Sequence, residues 1–241
     1  MDYHDPHIAE AYDVANPLAE DGRFYLGLAG RCPCNVLDLG CGTGTLCCSL
    51  AERGHRVTGV DPAAAMLAVA KRKSFAEHVE WVESTAQSYR SPRRFDLIVM
   101  TGHALQTLLT DTDILGALET MRFHLKGRGR VAFETRNPHV DWVSEWAARP
   151  PRVLALPIGP VVETLTVTGK EGEFISFQTS YHFPHRTLPT NSALRFPTRD
   201  HVEGLIARSG LVFRDVFGDW NAGPFDAARS REIIFIAARG A

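Results

Sequence analysis

One segment constrains the fold of this chain more than any other: an apolar run that passes directly into three closely spaced glycines. It reads Val36-Leu-Asp-Leu-Gly40-Cys-Gly42-Thr-Gly44. A short continuous apolar run is typical of a strand buried on both faces of a parallel sheet. Glycines at the following turn let the backbone approach a ligand closely, and a helix start offers unpaired N–H groups. The segment therefore predicts a strand, a ligand-binding turn and a helix.

The alternation of strand and helix continues from residue 30 to residue 135. Apolar runs predict strands at 35–39, 56–60, 79–82, 95–100 and 130–134, with helices at 45–53, at 61–73 and from residue 110. A helix at 198–209 and strands at 211–217 and 232–237 close the chain, and we expect these two strands to pair antiparallel at one sheet edge. The predicted fold class is α/β: a Rossmann-like doubly wound sheet, mostly parallel, with an antiparallel edge strand.

Strand-like periodicity of two takes over after Pro138, where four further prolines first interrupt the chain. Leu165 and Val167 alternate with threonines, and residues 175–183 place apolar side chains on one face. Gly169-Lys-Glu-Gly172 lies between the two runs and predicts a turn. The segment is therefore predicted to form a late β-hairpin insertion.

An acidic residue strengthens the ligand-binding interpretation of the glycine turn. Asp61 follows the second predicted strand, 17 residues beyond Gly44, where a carboxylate can accept hydrogen bonds from both hydroxyls of a ribose. Asp61 followed by Pro62 is also a good helix start, so the residue has a structural alternative. The glycine spacing differs from the G-x-G-x-x-G dinucleotide fingerprint, and no nearby Arg or Lys awaits a phosphate. The tandem arrangement therefore favours a nucleoside ligand.

Two segments resemble the core of class I S-adenosylmethionine-dependent methyltransferases: VLDLGCGTGTLCCSLAERGHRVTGVDPAAAML at 36–67 and FDLIVMTGHALQ at 95–106. The resemblance covers about residues 30–135. It implies S-adenosylmethionine as the cofactor and S-adenosylhomocysteine as its product. The residues implied to contact the cofactor are Asp38, Gly40, Cys41, Gly42, Gly44, Asp61, Pro62, Met66, Thr85, Ala86, Gln87, Met100 and Tyr12.

The resemblance also implies roles for several of these positions. The methionine end of the cofactor lies over the three glycines, Asp38 reaches its amino group, Asp61 holds the ribose, and Met66 packs near the adenine. The family often has Gly-Asp-Ala after the third strand, where this chain has Ser84-Thr85-Ala86. Because Thr85 is a poorer acceptor for the adenine amino group, we expect a backbone N–H of Ala86 or Gln87 to contact the ring.

By the same resemblance, residues 1–241 form a single methyltransferase domain with four parts. We expect an N-terminal helical lid over 1–29 and a cofactor-binding core over 30–138. A substrate-side insertion with the β-hairpin is expected over 139–197, and a closing helix with edge strands over 198–241. Tyr12 lies in the expected lid, with ordinary packing as its structural alternative.

His103 is the candidate catalytic residue, because it directly follows the fourth predicted strand, where ligands bind in open α/β sheets. Methyl transfer is an in-line displacement that mainly requires the acceptor to be held close and aligned. A general base helps an oxygen acceptor, whereas a thiolate or a neutral amine needs none. The alternative for His103 is a hydrogen-bonded loop histidine near the methionine carboxylate of the cofactor.

Four residues are candidates for contact with the acceptor. Arg136 and Asn137 follow the fifth predicted strand, Tyr181 lies in the hairpin and Trp220 in a late turn. Arg136 is expected to pair with an acidic group on the acceptor. The structural alternatives are solvation for Arg136 and core packing for the aromatic residues.

Composition limits the classes of function. The 26 Lys+Arg and 28 Asp+Glu residues nearly balance, which disfavours a nucleic-acid partner. No run of about 18 apolar residues and no secretory signal is visible, so we expect no membrane partner. All five cysteines fall between Cys32 and Cys48, which is typical of reduced thiols in a cytoplasmic protein. We expect no metal site, because Cys32 and Cys34 lack a second ligand pair.

These observations predict a methyltransferase that acts on a small-molecule acceptor. Within the same chemistry, the alternatives are a methyltransferase that acts on a macromolecule and a non-catalytic protein that binds S-adenosylmethionine. A nicotinamide-dependent oxidoreductase is disfavoured by the glycine spacing, and a hydrolase by the absence of a Gly-x-Ser-x-Gly motif. The sequence indicates neither the acceptor atom nor the oligomeric state.

Overall fold

The computed structural model describes residues 3–240, which form eleven strands and seven α-helices. The strands are β1 Asn35–Leu39, β2 Arg56–Asp61, β3 Val79–Glu83, β4 Phe95–Met100, β5 Leu125–Arg136, β6 Arg152–Leu156, β7 Gly159–Glu171, β8 Phe174–Phe183, β9 Arg186–Arg195, β10 Leu211–Phe217 and β11 Glu232–Arg239. The helices are α1 Pro6–Ala15, α2 Glu20–Ala29, α3 Thr45–Glu52, α4 Ala64–Ala70, α5 Asp111–His124, α6 Trp142–Ala147 and α7 Arg199–Arg208.

Seven strands form the central sheet in the order β10-β11-β5-β4-β1-β2-β3. The pairs from β5 to β3 are parallel, whereas β11 is antiparallel to both β5 and β10. The prediction of a mostly parallel doubly wound sheet with a late antiparallel pair is confirmed. The antiparallel strand, however, lies one position in from the edge. This placement follows from composition, because β11 carries the apolar run Ile233–Ala237 and β10 is half exposed.

Neighbouring residues of the central strands alternate between two apolar clusters on opposite faces of the sheet. Leu37 belongs to the first cluster, together with Ile114 of α5 and Leu205 of α7. Val36 belongs to the second, together with Leu50 of α3. Both faces are therefore covered by helices, as a continuous apolar strand requires.

The start of α4 differs from the prediction. The helix begins at Ala64, three residues after the predicted start at Asp61. The Asp61 carboxylate accepts hydrogen bonds from the backbone N–H groups of Ala63 and Gly42, both at 2.9 Å. These bonds hold Asp61 in the strand-to-helix loop, so the residue does not cap the helix.

The predicted hairpin is present as β7 and β8, but it is the centre of a second, four-stranded antiparallel sheet with the order β6-β7-β8-β9. Strands β6 and β9 were not predicted, because Pro157 directly follows β6 and Pro189 lies inside β9. Both strands are at sheet edges, where a residue without an N–H group is tolerated. The insertion is therefore larger and flatter than a single hairpin.

Helix α1 lies between the two sheets. Its Ile8 packs with Leu154 of β6 and Tyr181 of β8, while its Ala9 packs with Met66 of α4. Arg152 of β6 also donates a hydrogen bond to the carbonyl oxygen at the end of α1, at 3.3 Å. The helix thereby connects the second sheet to the central sheet.

None of the helices in residues 3–240 combines the length and the apolar character needed to cross a bilayer.

Candidate active site

Two adjoining cavities open at the edge of the central sheet where β1, β2 and β4 end, the position at which open α/β sheets bind ligands. The smaller one has a volume of about 370 Å³ and is lined by α2 and the glycine turn. The larger one has a volume of about 430 Å³ and extends to the second sheet. The two cavities share the lining residues Tyr12, Asn16, Gly40, Gly42, Thr101, Gly102, His103 and Arg136.

The glycine turn requires glycine but offers few free N–H groups. Gly40 has φ +75°, and a Cβ there would lie 3.0 Å from the Ala104 Cβ. The N–H groups of Gly40 and Cys41 donate to the Val60 carbonyl, and that of Gly42 donates to Asp61. The N–H groups of these three turn residues are therefore all paired within the protein, whereas the expectation of unpaired N–H groups concerned the start of the following helix. Because a phosphate needs such donors, the turn does not suit a pyrophosphate.

Asp38 is buried at the end of β1 and lines the smaller cavity. Its Oδ2 accepts a hydrogen bond from the Cys47 thiol at 3.3 Å, whereas its Oδ1 is a buried oxygen without a partner among the described residues. Burial raises the pKa of Asp38 to about 7. A buried carboxylate oxygen beside a cavity is suited to a cationic ligand group, which would supply the missing partner.

The raised pKa of Asp38 predicts that the affinity for S-adenosylhomocysteine falls at low pH. Below about pH 7 the carboxyl of the free protein is protonated, and pairing with the ligand's ammonium requires ionisation. We expect the dissociation constant to rise about tenfold for each pH unit below 7. Calorimetric titrations from pH 5.5 to 8.5 check this. The Asp38→Asn variant should bind weakly at every pH, and a pH dependence equal to that of the wild type would contradict the assignment.

The Asp38→Asn substitution should also stabilise the unliganded protein against unfolding. The folded-state pKa of Asp38 lies above its ordinary value of 3.8, so the protonated form is favoured by folding, and this stability is lost as the pH rises from 3.8 to about 7. At pH 8 the ionised carboxylate costs about 4 kcal/mol. Since the replacing amide also stays partly unpaired, Asp38→Asn should gain about 1 to 3 kcal/mol in free energy of unfolding. Denaturant unfolding at pH 8 and pH 4 measures the difference.

Asp61 lies at the end of β2 and lines the larger cavity beside Pro62 and Met66. Burial raises the pKa of its carboxyl, and the N–H groups of Ala63 and Gly42 partly oppose that shift. Each carboxylate oxygen uses one lone pair for these bonds and keeps another. The geometry therefore leaves two neighbouring acceptors at the cavity, as a pair of ribose hydroxyls requires.

His103 lies between the two cavities and is held at both its backbone and its ring. Its backbone has φ +60°, and its N–H donates to the Glu134 carboxylate at 2.7 Å. Its Nε2 lies 2.8 Å from Glu232 Oε2. When the neutral ring donates from Nε2 to this carboxylate, Nδ1 is the nitrogen that carries the lone pair. His103 is therefore a hydrogen-bonded loop histidine and also an oriented candidate base.

Glu134 stabilises the loop that carries His103. It is fully buried at the end of β5, and it accepts a hydrogen bond from the Tyr25 hydroxyl as well as from the N–H of His103. Burial raises its pKa, while the neighbouring His103 lowers it. Tyr25 and Glu134 thereby fix the loop that carries His103.

The structure brings most of the predicted site residues to the cavities. Those that line one or both cavities are Tyr12, Asp38, Gly40, Cys41, Gly42, Asp61, Pro62, Met66, His103, Arg136 and Tyr181. Arg136 is at the end of β5, and Tyr181 faces it from the second sheet. These residues are far apart in the sequence. They lie close together because the parallel strands end at the same edge of the sheet.

Five predicted cofactor contacts, Ala86 among them, lie outside both cavities. A Cβ at Gly44 would clash with Trp81 at 2.4 Å, so this glycine serves packing between α3 and β3. Met100 is part of the apolar core. Thr85 is exposed, and the Gln87 side chain donates to Asp113 at 3.3 Å.

Ala86 and two predicted acceptor contacts are also placed away from the cavities. Ala86 is buried in the apolar core. Asn137 donates to the carbonyls of Ala227 and Ser230 at 2.9 and 2.7 Å, so its amide organises the loop before β11. Trp220 packs against α2, with its ring centroid 5.9 Å from that of Phe24. The loop and the aromatic contact occupy both side chains and keep them from the acceptor side.

Sequence reasoning missed three acidic residues of the site. Glu134 and Glu232 hold His103, and Glu163 of β7 lines the larger cavity. A signal existed for Glu134, because it is a charged residue that ends an apolar strand. Glu232 gave a similar signal at the start of β11. No local pattern distinguished Glu163.

Comparison with known proteins finds methyltransferases. The family model described as a methyltransferase domain matches residues 36–129. The cypemycin N-terminal methyltransferase of a Streptomyces species is 27% identical over 98% of this chain and 97% of its own length. The ubiquinone biosynthesis O-methyltransferase of Pseudomonas fluorescens is 35% identical over 47% of this chain and 48% of its own. The crystal structure of the sugar N-methyltransferase KedS8 from Streptoalloteichus has a TM-score of 0.76 at 17% identity, over 94% of this chain and 90% of that one.

The fold is that of a Rossmann-like doubly wound α/β enzyme with two cavities at the carboxyl edge of its parallel strands. The methyltransferase-domain match over residues 36–129 and the methyltransferase relatives together support an S-adenosylmethionine-dependent methyltransferase of class I. A solved structure of similar fold, the amino pentose methyltransferase CalS10 from Micromonospora echinaspora, has S-adenosylmethionine bound; its TM-score is 0.68 at 20% identity, over 95% of each chain.

Proposed function

We propose that this enzyme transfers a methyl group to the nitrogen of a small amine. The observation that best supports a small acceptor is the lining of the larger cavity. Its wall extends from Asp61 and Met66 of the core to Glu163 and Tyr181 of the second sheet. Helix α1 spans the two sheets beside it. A cavity of about 430 Å³ enclosed in this way suits a compact acceptor beside the cofactor better than a polymer.

The names of the relatives support nitrogen as the acceptor atom. The cypemycin enzyme and KedS8, which match over 98% and 94% of this chain, are named for N-terminal and sugar N-methylation. The O-methyltransferase matches over less than half of the chain. These two relatives, which match over nearly the whole chain including the part that contributes the second sheet, therefore favour an amine.

The residues of the site fit the methyl donor. When bound, S-adenosylmethionine supplies a methyl group on a positively charged sulfur. The unpartnered Asp38 oxygen would accept a hydrogen bond from its amino group, and Asp61 would hold the two ribose hydroxyls. Met66 and Pro62 would contact the adenine ring, since they adjoin Asp61. The wall at Gly40 and Gly42, which both cavities share, leaves room for the part of the cofactor that joins its amino group to its ribose.

His103 would prepare the acceptor. An alkylammonium has no lone pair, so the amine must lose a proton before it attacks. We infer that Nδ1 of neutral His103 takes this proton, because Nε2 is bonded to Glu232. The Glu232 carboxylate then stabilises the positive ring that results. Helix α1 and the second sheet both contribute to the lining of the cavity in which this step would take place.

A labelled-donor assay tests the proposed function. The enzyme is incubated with S-adenosylmethionine labelled in the methyl group and a filtered metabolite extract, and the products are separated by mass. We expect label in one or a few amines of low molecular mass. Label found only in the macromolecular fraction of an unfiltered extract, or only in alcohols or thiols, would overturn the proposal.

A further inference from the structure

Three arginines surround the acceptor side of the larger cavity, with a single carboxylate among them. Arg136, Arg149 and Arg152 all line this cavity. Arg149 and Arg152 share one oxygen of the buried Glu163, with Nη2 of each at 3.2 and 2.5 Å. One carboxylate therefore forms ion pairs with two guanidinium groups, and Arg136 does not take part in this cluster.

Arg136 has no ionic partner. Among residues 3–240, no carboxylate lies within 4.0 Å of its guanidinium. Its Nη1 donates to the Gln106 amide oxygen at 3.0 Å, and its Cζ lies 5.6 and 5.4 Å from the ring centres of Trp142 and Trp146.

The Arg136 guanidinium is also fixed in place. Gln106 is fully buried, and its own amide donates to the Arg195 carbonyl at 2.7 Å. The Glu134 and Glu232 carboxylates near Arg136 are already bonded to Tyr25 and to His103. The guanidinium is thus held by neutral groups and keeps unused donors at the cavity.

The guanidinium groups of this wall are buried and incompletely paired. Burial lowers the pKa of both Arg136 and Arg149; the Glu232 and Glu134 carboxylates partly oppose that shift at Arg136, and the neighbouring Arg152 adds to it at Arg149. Of the remaining charged groups on this wall, Asp61 lies on the ribose side, and His4 and His103 add no negative charge. Arg149 and Arg152 share one carboxylate and Arg136 forms no direct ion pair, so guanidinium N–H donors at this wall remain available to an anionic ligand.

We propose that the acceptor carries an oxyanion, a carboxylate or a phosphate, that binds between Arg149 and Arg136. The planar forks of arginine are suited to such groups. This inference rests on the proposed function and narrows its substrate class to amines that also carry an acidic group. The ring faces of Trp146 and Phe177, which line the same wall, would contact the body of that molecule.

Binding probes test the oxyanion site without turnover. Protein saturated with S-adenosylhomocysteine is titrated calorimetrically with phenylacetate, phenyl phosphate and the neutral phenylacetamide at constant ionic strength. We expect at least one anion to bind about tenfold tighter than the amide. The identity of the tighter anion distinguishes a carboxylate site from a phosphate site. Equal binding of amide and anions, or no binding of either anion at millimolar concentration, would overturn the proposal.

Variants locate the site. Arg149→Gln and Arg136→Gln should each reduce anion binding about tenfold while leaving phenylacetamide unaffected. Arg186→Gln is the matched control, because Arg186 is exposed at the start of β9 and does not line the cavity. An equal loss in Arg186→Gln would contradict a specific site.

The affinity of Arg136→Gln for S-adenosylhomocysteine gives the final criterion. If that affinity falls while anion binding is kept, Arg136 serves the cofactor carboxylate, and its part in the oxyanion site is refuted. Because these titrations involve no methyl transfer, their failure leaves amine methylation standing. Conversely, failure of the labelled-donor assay leaves an anion site that the titrations still detect.

Discussion

Replacement of His103 by alanine is expected to lower kcat by about 10²- to 10⁴-fold for an alkylamine acceptor, because the protonated amine then lacks its base. His103 lies between the two cavities with Nε2 bonded to Glu232 at 2.8 Å. The dissociation constant of S-adenosylhomocysteine should stay within about a factor of three. Steady-state kinetics with the acceptor found in the labelled-donor assay, together with calorimetry, measures both quantities.

Three controls separate proton transfer from simple positioning. Added imidazole should restore part of the rate of His103→Ala. Glu232→Gln should shift the pH–rate profile while retaining more activity than His103→Ala, because it weakens only the support of the ring. His182→Ala should behave as wild type, since this exposed histidine bonds to Thr164 and Thr187 of the second sheet. A loss of less than tenfold in His103→Ala would show that the residue is not the base.

Replacement of Asp61 by alanine is expected to weaken the binding of S-adenosylhomocysteine by about 1 to 3 kcal/mol, or about 5- to 150-fold. The variant removes the two acceptors that β2 presents to the larger cavity. It also leaves the N–H groups of Gly42 and Ala63 without their partner. Thermal unfolding of the unliganded protein therefore accompanies the calorimetry.

A cofactor analogue separates the two effects of Asp61→Ala. The 2′-deoxy form of S-adenosylhomocysteine should bind more weakly than the parent to the wild type but not to the variant. Asp96→Ala is the matched control, because this carboxylate also binds a backbone N–H, that of Asn35 at 2.9 Å, yet lines neither cavity. If the deoxy analogue lost equal affinity in both proteins, Asp61 would have only its structural role.

The fold of the core was predictable because its strands are continuous apolar runs. β1, β2 and β4 each carry buried residues on both faces, and this pattern differs clearly from the helical spacing between them. The second sheet was predictable only in part. Its edge strands β6 and β9 are bounded or interrupted by Pro157 and Pro189, and local signals cannot distinguish such strands from loops.

The site residues were predictable where a charged or polar residue lies at the end of a predicted strand. Asp38, Asp61, His103 and Arg136 lie at or just beyond strand ends, so the topology alone brings them to one edge. Glu232 was not predictable in this way, because it is 129 residues away from His103 in sequence.

Strand register and alternative partners account for the remaining differences. The antiparallel register of β11 on β5 places Glu232 opposite Arg136, and no local pattern determines that register. For the same reason the side-chain hydrogen bonds of Asn137 and Gln87 were not predicted. Their partners, Ser230 and Asp113, lie on other parts of the chain.

The atom that receives the methyl group is the most direct test of amine methylation. The enzyme is incubated with ¹³C-methyl S-adenosylmethionine and its acceptor, and two-dimensional carbon–proton NMR of the product identifies the atom bonded to the labelled carbon. The proposed function predicts an N–CH₃ signal that disappears in His103→Ala on the same time scale. An O–CH₃ or S–CH₃ signal, or no transfer by protein shown to bind the donor, would contradict it.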